Sequence, residues 1–551
     1  MSAFVVDESE DAGLPAGGAS GPAALRPLLE TVLDALASGA AERGGPLPAG
    51  GPAAVAGDVR ATVGSVLPER GAGAHEALDT LVGAMARGAA DPAEPLCAAH
   101  LHCPPLAVAA AADVAASALN PSMDSWDQAP AASELEALVC GELGRLVYPV
   151  RRRVPPSVPA EGAGPEPVAD ALVTTGGTEA NQLAVLLARE CARQAGAGGA
   201  VRVVCGANAH HSVHRAAWLL GLEPPLVVPA PRGVLHPVAL EEALAGLGGA
   251  PALVVATAGT TDAGDVDPLP EIGAVAARHG ARWHVDAAYG GPLLFSERLR
   301  GRMAGMERAD SVTFDLHKLG WQPVAAGFLV VPDGAALRPL DHRADYLNAD
   351  DDIEAGLPDL LGRSLRTTRR PDVLKVAVTL RALGRSGVGE LVERTCAAAG
   401  RMADLVAGHG RFELFARPTL STVLFRPVRT GDAVVAVVRR RLLERGLAVL
   451  GRAALDDGLW LKATLLNPWV REAELAALLK LVEELTDEAV AEGAADEAVA
   501  VRAGRPAVAG AASHGPGAVR EMRGPVVGGA LADEAPSGEA VAAAAVEGTR
   551  A

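Results

Sequence analysis

The chain has 551 residues, 49% of them hydrophobic and 3% aromatic, with a formal net charge of −18. That length suits two packed domains plus tails, and the negative charge argues against nucleic acid or an anionic membrane surface as a partner. The 6 cysteines are scattered, with no C-x-x-C pair and no His/Cys cluster at zinc-ligand spacing, so they read as free thiols in a reducing cytoplasm and no metal is expected.

Residues 1–24 are rich in Gly, Ala, Pro and acid and predict a disordered tail. They carry acids where a secretory signal would carry Lys or Arg, and no apolar run approaches about 18–20 residues, so the expectation is a cytoplasmic protein without a membrane segment. "LRPLLETVLDALASGAAE" then reads as an amphipathic helix, followed by a Gly/Pro-rich connector (44–57) and by further helix in "HEALDTLVGAMARG" and "PLAVAAAADVAASALN". Residues 25–120 are thus expected to form a helical arm.

From Ala171 the pattern changes. "ALVTT", "VRVVC", "PLVVP", "ALVVATA", "ARWHVDAA", "SVTF" and "GFLVVP" are short apolar runs bounded by turn signals, and helical stretches alternate with several of them. This is an α/β pattern, a mainly parallel sheet covered on both faces, in a large domain over 121–372. Ligands gather beyond the carboxyl ends of such strands, and the notable polar residues sit there: 174–178, 210–212, 257–262, Asp286 and 315–318. After a long helix starting near Asp372, strand-like "RFELFA", "STVLFRP" and "LWLKATLL" alternate with helices in a smaller α+β domain over 373–490. Residues 491–551, nearly all Ala, Gly, Val, Pro and Glu, predict a disordered tail.

Lysine is scarce. Of the 49 basic residues only Lys318, Lys375, Lys462 and Lys480 are lysines. Arg serves wherever a charge suffices, whereas a desolvated Lys can lose its proton and attack a carbonyl. Lys318, within the apolar "SVTFDLHKLGWQP", therefore reads as a residue chosen for its amine.

Three motifs surround it. "TTGGTEAN" (174–181) follows a strand and opens a helix, and its glycines and free N–H groups suit a phosphate monoester; the plainer reading makes Thr178 an N-cap. In "WHVDAAYGG", Asp286 ends an apolar strand and needs a positive partner or a donor; otherwise it caps the next helix. In "NAHHSVHRAAW", one histidine could stack on a flat ligand, while the adjacent His210 and His211 should diverge. Together an anion cradle, a buried Asp, a stacking His and a Lys 32 residues after the Asp match the needs of pyridoxal 5′-phosphate.

These residues resemble the group II pyridoxal-phosphate-dependent amino acid decarboxylases over about Leu101 to Pro468. The motifs are "NPSMDSWDQAPAASELE", "GGTEAN", "HHSVHRAAWLLGL", "ATAGTTDAGDVDPLPEI", "HVDAAYGG", "DLHK" and "RSLRTTRRPDVLK". Within the group, "SWDQ", "HRADYLN", "SLRTTRR" and "LKATLLNP" look most like the bacterial diaminobutyrate and siderophore-pathway lysine decarboxylases. The resemblance implies the fold type I architecture with a seven-stranded sheet, a homodimer, and removal of the α-carboxylate of a basic L-amino acid, 2,4-diaminobutyrate or lysine, to give an amine and CO₂. By the same match Lys318 is the Schiff-base lysine and Asp286 the partner of the pyridine nitrogen. His210 stacks on the ring, with Ser212 as its H-x-S serine. Gly177 and Thr178 hold phosphate, Thr261, Ala288 and His317 border the cofactor, and Tyr346 on an acidic loop protonates the substrate carbon, with His210 through water as the alternative donor. Where glutamate and aromatic relatives read Asn-Pro, this chain has Asp315-Leu316, and a carboxylate cannot donate to phosphate.

Rival readings are an aromatic or branched aliphatic substrate, transamination on the same fold, and a catalytically silent scaffold. Amine and CO₂ against keto acid separates the first two from each other, and absorbance near ~410–430 nm lost on borohydride treatment argues against the third.

Overall fold

In the computed structural model, residues 13–149, 168–196, 201–341, 355–358 and 360–502 are described. Tyr346, the acidic loop around it and the tail beyond residue 502 lie outside them, as do residues 1–12.

The N-terminal segment holds α1 (Gly21–Arg43), α2 (Gly51–Val63), α3 (Ala74–Gly88) and α4 (Ala107–Leu119). Two expectations need correction here. Helix α1 starts at Gly21, inside the segment assigned to the tail, with Pro22 in its first turn. Helix α2 occupies much of what read as a connector; Pro52 stands at its start, where a missing N–H costs nothing, and Gly50 enters at φ 92°.

The large sheet comprises β2 (Asp170–Thr174), β3 (Arg202–Gly206), β4 (Leu226–Val228), β5 (Ala252–Thr257), β6 (Arg282–Ala287), β7 (Ser311–Asp315) and β8 (Gly327–Val331), in the order β2-β8-β7-β6-β5-β3-β4. These are the seven apolar runs of the sequence. Strands β5, β7 and β8 are buried at every residue, as strands covered on both faces must be. Only β8 runs antiparallel to its neighbours, pairing Asp315 with Gly327 on one side and Thr174 with Gly327 on the other. The carboxyl ends of β2, β3, β5, β6 and β7 therefore share one edge of the sheet, the edge at which β8 begins. Helices α5 (Pro130–Val147), α6 (Gly177–Gln194), α7 (Ser212–Leu219), α8 (Pro237–Gly246) and α9 (Leu269–Arg278) accompany the strands. Helix α9 shows the reason: Leu269, Ile272, Val275 and Ala276 form its buried stripe.

The C-terminal part consists of a helical run α10 (Val373–Gly408), broken at Gly384, then β9 (Phe412–Leu414), β10 (Thr422–Pro427), α11 (Asp432–Glu444), β11 (Val449–Leu455), β12 (Gly458–Thr464) and α12 (Glu472–Arg502). Its sheet has five strands, because β1 (Cys97–Ala98), from the segment expected to be purely helical arm, pairs in parallel with β11. Helix α12 also continues past residue 490, the boundary expected from sequence.

The turn carrying Lys318 is clamped from several directions. Trp321 is wholly buried, its Nε1 donates to Leu466 O at 2.8 Å, and its carbonyl accepts from Leu106 N at 2.9 Å. The position of Lys318 is thus set by segments on both sides of it in sequence.

Candidate active site

A cavity of about 470 Å³ opens at the shared strand edge, lined by Gly176, Gly177, Thr178, Asn181, His210, Thr261, Asp286, Ala288, His317 and Lys318 among others. The strand ends bring together every expected site residue that is described except Ser212, which stands directly behind His210.

Helix α6 follows β2 with no room for side chains at its start. A Cβ on Gly176 would stand 2.9 Å from the His317 ring, and one on Gly177 would stand 2.9 Å from Ala288 Cβ. Glu179 folds back to accept from both Thr175 N and Thr175 Oγ1 at 2.7 Å. Thr178 is not the N-cap; that position belongs to Gly176, and Thr178 lies inside the helix. The Gly177 N–H donates to Asp315 Oδ2 at 3.0 Å.

Asp315 is 1% exposed and forms the hub of the cradle. Lys318 Nζ lies 3.0 Å from its Oδ2 and His317 Nε2 3.5 Å from it, while Oδ1 is buried with no hydrogen-bond partner among the described residues. His317 accepts from Ala326 N through Nδ1, and burial holds it below the ordinary imidazole range.

Asp286 is the penultimate residue of β6 and is 6% exposed. Its Oδ2 accepts from Asn181 Nδ2 at 2.7 Å and its Oδ1 from Ala288 N at 3.2 Å, with no cation paired to it among the described residues. His210 stands 2.8 Å through Nδ1 from Ser212 Oγ, and burial lowers its pKa. The rings of His210 and His211 do not diverge; their centroids are 4.1 Å apart, because the αR conformation of His211 starts the turn into α7 and folds one ring against the other.

The cavity has further residues to which sequence reasoning gave no role. Asn181 sits inside a motif quoted above, yet only its burial in an amphipathic helix marks it. His100 and Lys462 arrive from either end of the chain. Lys462 is 9% exposed and donates to Thr261 O at 3.1 Å, and burial lowers its pKa. The scarcity of lysine was the signal that could have found it. Tyr289 Oη is tied to Ser421 Oγ at 2.7 Å and Thr422 Oγ1 at 3.0 Å.

The site's own chemistry fits pyridoxal phosphate: two glycines whose Cβ atoms would fill the cradle, a helix start, a carboxylate with no cation at Asp286, and a primary amine at Lys318. Comparison with known proteins agrees. Residues 81–428 match the family described as the pyridoxal-dependent decarboxylase conserved domain. The chain is 40% identical over 414 residues to an L-2,4-diaminobutyrate decarboxylase of Rhizobium meliloti, covering 73% of this chain and 80% of that protein. It is 33% identical over 470 residues to one of Acinetobacter baumannii, covering 79% and 89%. Among solved structures, the glutamate decarboxylase domain of a Vibrio parahaemolyticus diaminobutyrate-pyruvate transaminase and L-2,4-diaminobutyrate decarboxylase superposes with a TM-score of 0.74 at 31% identity, covering 87% of this chain and 99% of that one. Oryza sativa TDC, solved with PLP and tryptamine, shares the fold at a TM-score of 0.74 and 24% identity, covering 84% and 98%.

Proposed function

Because this chain belongs to the pyridoxal-dependent decarboxylase family, we propose that it removes the α-carboxylate of a basic L-amino acid, with L-2,4-diaminobutyrate the preferred substrate. The observation that carries this reading is one cavity holding the Lys318 amine and the Asp286 carboxylate, in a chain 40% identical to a diaminobutyrate decarboxylase.

When bound, pyridoxal phosphate supplies an aldehyde for the substrate amine and a protonated ring that accepts the electron pair left behind by departing CO₂. Lys318 would hold the cofactor covalently until the substrate amine displaces it. Gly177 and Thr178 would hold the phosphate at the α6 start, where N–H groups have no intrahelical acceptor. Asp286, its two oxygens aligned by Asn181 and the Ala288 amide, would keep the ring nitrogen protonated. His210 would lie against the ring, with Thr261, Ala288 and His317 around its margin. Tyr346 would return the proton to Cα.

We further propose a homodimer, as the family resemblance implies, and a cytoplasmic location. All six cysteines are unpaired thiols, and no helix among the described residues is long and apolar enough to cross a membrane.

The test is a screen of L-amino acids with the cofactor-supplied protein. L-2,4-diaminobutyrate should give CO₂ and 1,3-diaminopropane, and Lys318→Arg should abolish turnover while leaving a folded protein. A keto acid in place of the amine would show transamination, and turnover confined to aromatic or branched aliphatic amino acids would overturn the substrate.

A further inference from the structure

One buried amide joins two sides of the cavity. Asn181, early in α6, is 1% exposed, and its contacts use every donor and acceptor a carboxamide has. Asp286 Oδ2 lies 2.7 Å from it. An ionised carboxylate only accepts, so the atom facing it is the amide nitrogen Nδ2. The rest follows from that orientation. The second Nδ2 hydrogen goes to Ser212 Oγ at 2.8 Å. Oδ1 accepts from the Thr313 hydroxyl at 2.7 Å and faces His284 Nε2 at 3.0 Å.

The direction of this chain of hydrogens then reaches His210. Ser212 Oγ receives a hydrogen from Asn181, which leaves its own hydrogen to be given, and His210 Nδ1 stands 2.8 Å away. The Ser212 backbone N–H also points at Nδ1, at 3.3 Å. Two donors converging on one ring nitrogen require that nitrogen to be bare, and a neutral imidazole then carries its hydrogen on Nε2. Burial favours the neutral ring, against the opposing pull of Asp286 and Asp315 and with the help of Lys318 and His211. Nε2 has no hydrogen-bond partner among the described residues, and the ring lines the cavity.

We infer that Asn181 is a positioning residue that fixes His210 as the Nε2–H tautomer, so that His210 meets the substrate as a hydrogen-bond donor and not as a base. A neutral N–H suits a carboxylate oxygen of the substrate. It is too weak an acid to be the source of the proton that reaches Cα, which leaves that task to another group. The catalytic consequence rests on the decarboxylase reading above; the tautomer itself does not.

The tautomer can be read directly by ¹⁵N NMR of the histidine-labelled full chain, with the His210 signals assigned by their loss in His210→Gln. The expected result is an unprotonated Nδ1 and a protonated Nε2. In Asn181→Asp the new side chain accepts where the amide donated, the Ser212 hydroxyl turns toward it, and the hydrogen should move to Nδ1. If a carboxylate beside Asp286 prevents folding, Ser212→Ala removes the relay without adding charge. Only the longer amide contact then remains, and the two tautomers should both be populated. A hydrogen on Nδ1 in the unsubstituted protein, or an unchanged Nε2–H form in the folded variants, overturns the assignment. A protein with the expected tautomer that releases no CO₂ from any L-amino acid would count against the decarboxylase reading alone.

Discussion

The Nζ of Lys318 rests 3.0 Å from Oδ2 of Asp315, the same oxygen that accepts the Gly177 N–H at the start of α6. A single buried carboxylate thus joins the Lys318 amine to the start of α6. We propose that loading of an anionic cofactor here works against the like charge of Asp315, a charge that Asn would not carry.

Asp315→Asn should therefore bind pyridoxal phosphate more tightly, by about tenfold or about 1.4 kcal/mol. The measurement is a fluorescence titration of the cofactor-free protein. Weaker binding in the variant would show that the carboxylate helps to hold the cofactor.

Lys462 places a nearly buried ammonium in the cavity whose one protein hydrogen bond among the described residues is to a carbonyl oxygen. We propose that it pairs with the substrate carboxylate, Asp262 being the acidic side chain that otherwise pulls on it. Lys462→Met should raise KM by about 10- to 100-fold, the worth of a hydrogen bond to a charged group, with cofactor affinity nearly unchanged. If KM falls instead, the ammonium faces the amine of the substrate side chain.

His284 is fully buried within the Asn181 network, and burial lowers its pKa, outweighing the pull of Asp286 in the other direction. Its folded pKa lies below the ordinary value of 6.5, so between the two values the unfolded chain binds more protons. Stability is then complete above about pH 6.5 and falls as the pH drops below it, by up to about 1.4 kcal/mol per pH unit for each such histidine. His210 and His317, also lowered by burial, add to the slope. Thermal unfolding between pH 7 and pH 5 should show Tm falling with pH, and His284→Gln should flatten the fall.

Arg369 and Glu136 form an ion pair with side chains 1% and 5% exposed, the Arg369 Nη2 standing 2.7 Å from Glu136 Oε1. Removing either partner leaves the other buried without its counter-charge. Glu136→Ala should cost about 3–5 kcal/mol, and the double change Glu136→Leu, Arg369→Met should recover much of it. Chemical denaturation of the three proteins measures both effects; equal losses in single and double variants would show that packing, not charge, is at stake.

Much of this site was legible because its parts are local. Asp286 ends an apolar run, Gly176 and Gly177 stand between a strand and a helix, and Lys318 is a rare residue type in a buried stretch. Each signal needs only a few neighbouring residues. Helix α2 escaped because its Gly and Pro were read as breakers, whereas Gly50 and Pro52 sit at its entry. The pairing of Cys97 with Val449 escaped because a two-residue strand has no periodicity to show.

The amino-acid sequence alone determined which residues stand at the strand ends and the seven strands that carry them, since apolar runs, turn glycines and residue type act over a few positions. Tertiary structure alone decided which donors meet which acceptors. Asn181 reaches Asp286 across 105 positions, and Lys462 reaches Thr261 across 201. The first contact exists because β6 and the helix after β2 meet at the common strand edge, the second because β12 of the smaller sheet lies against that edge, and a hydrogen bond depends on distance and direction that no local pattern encodes.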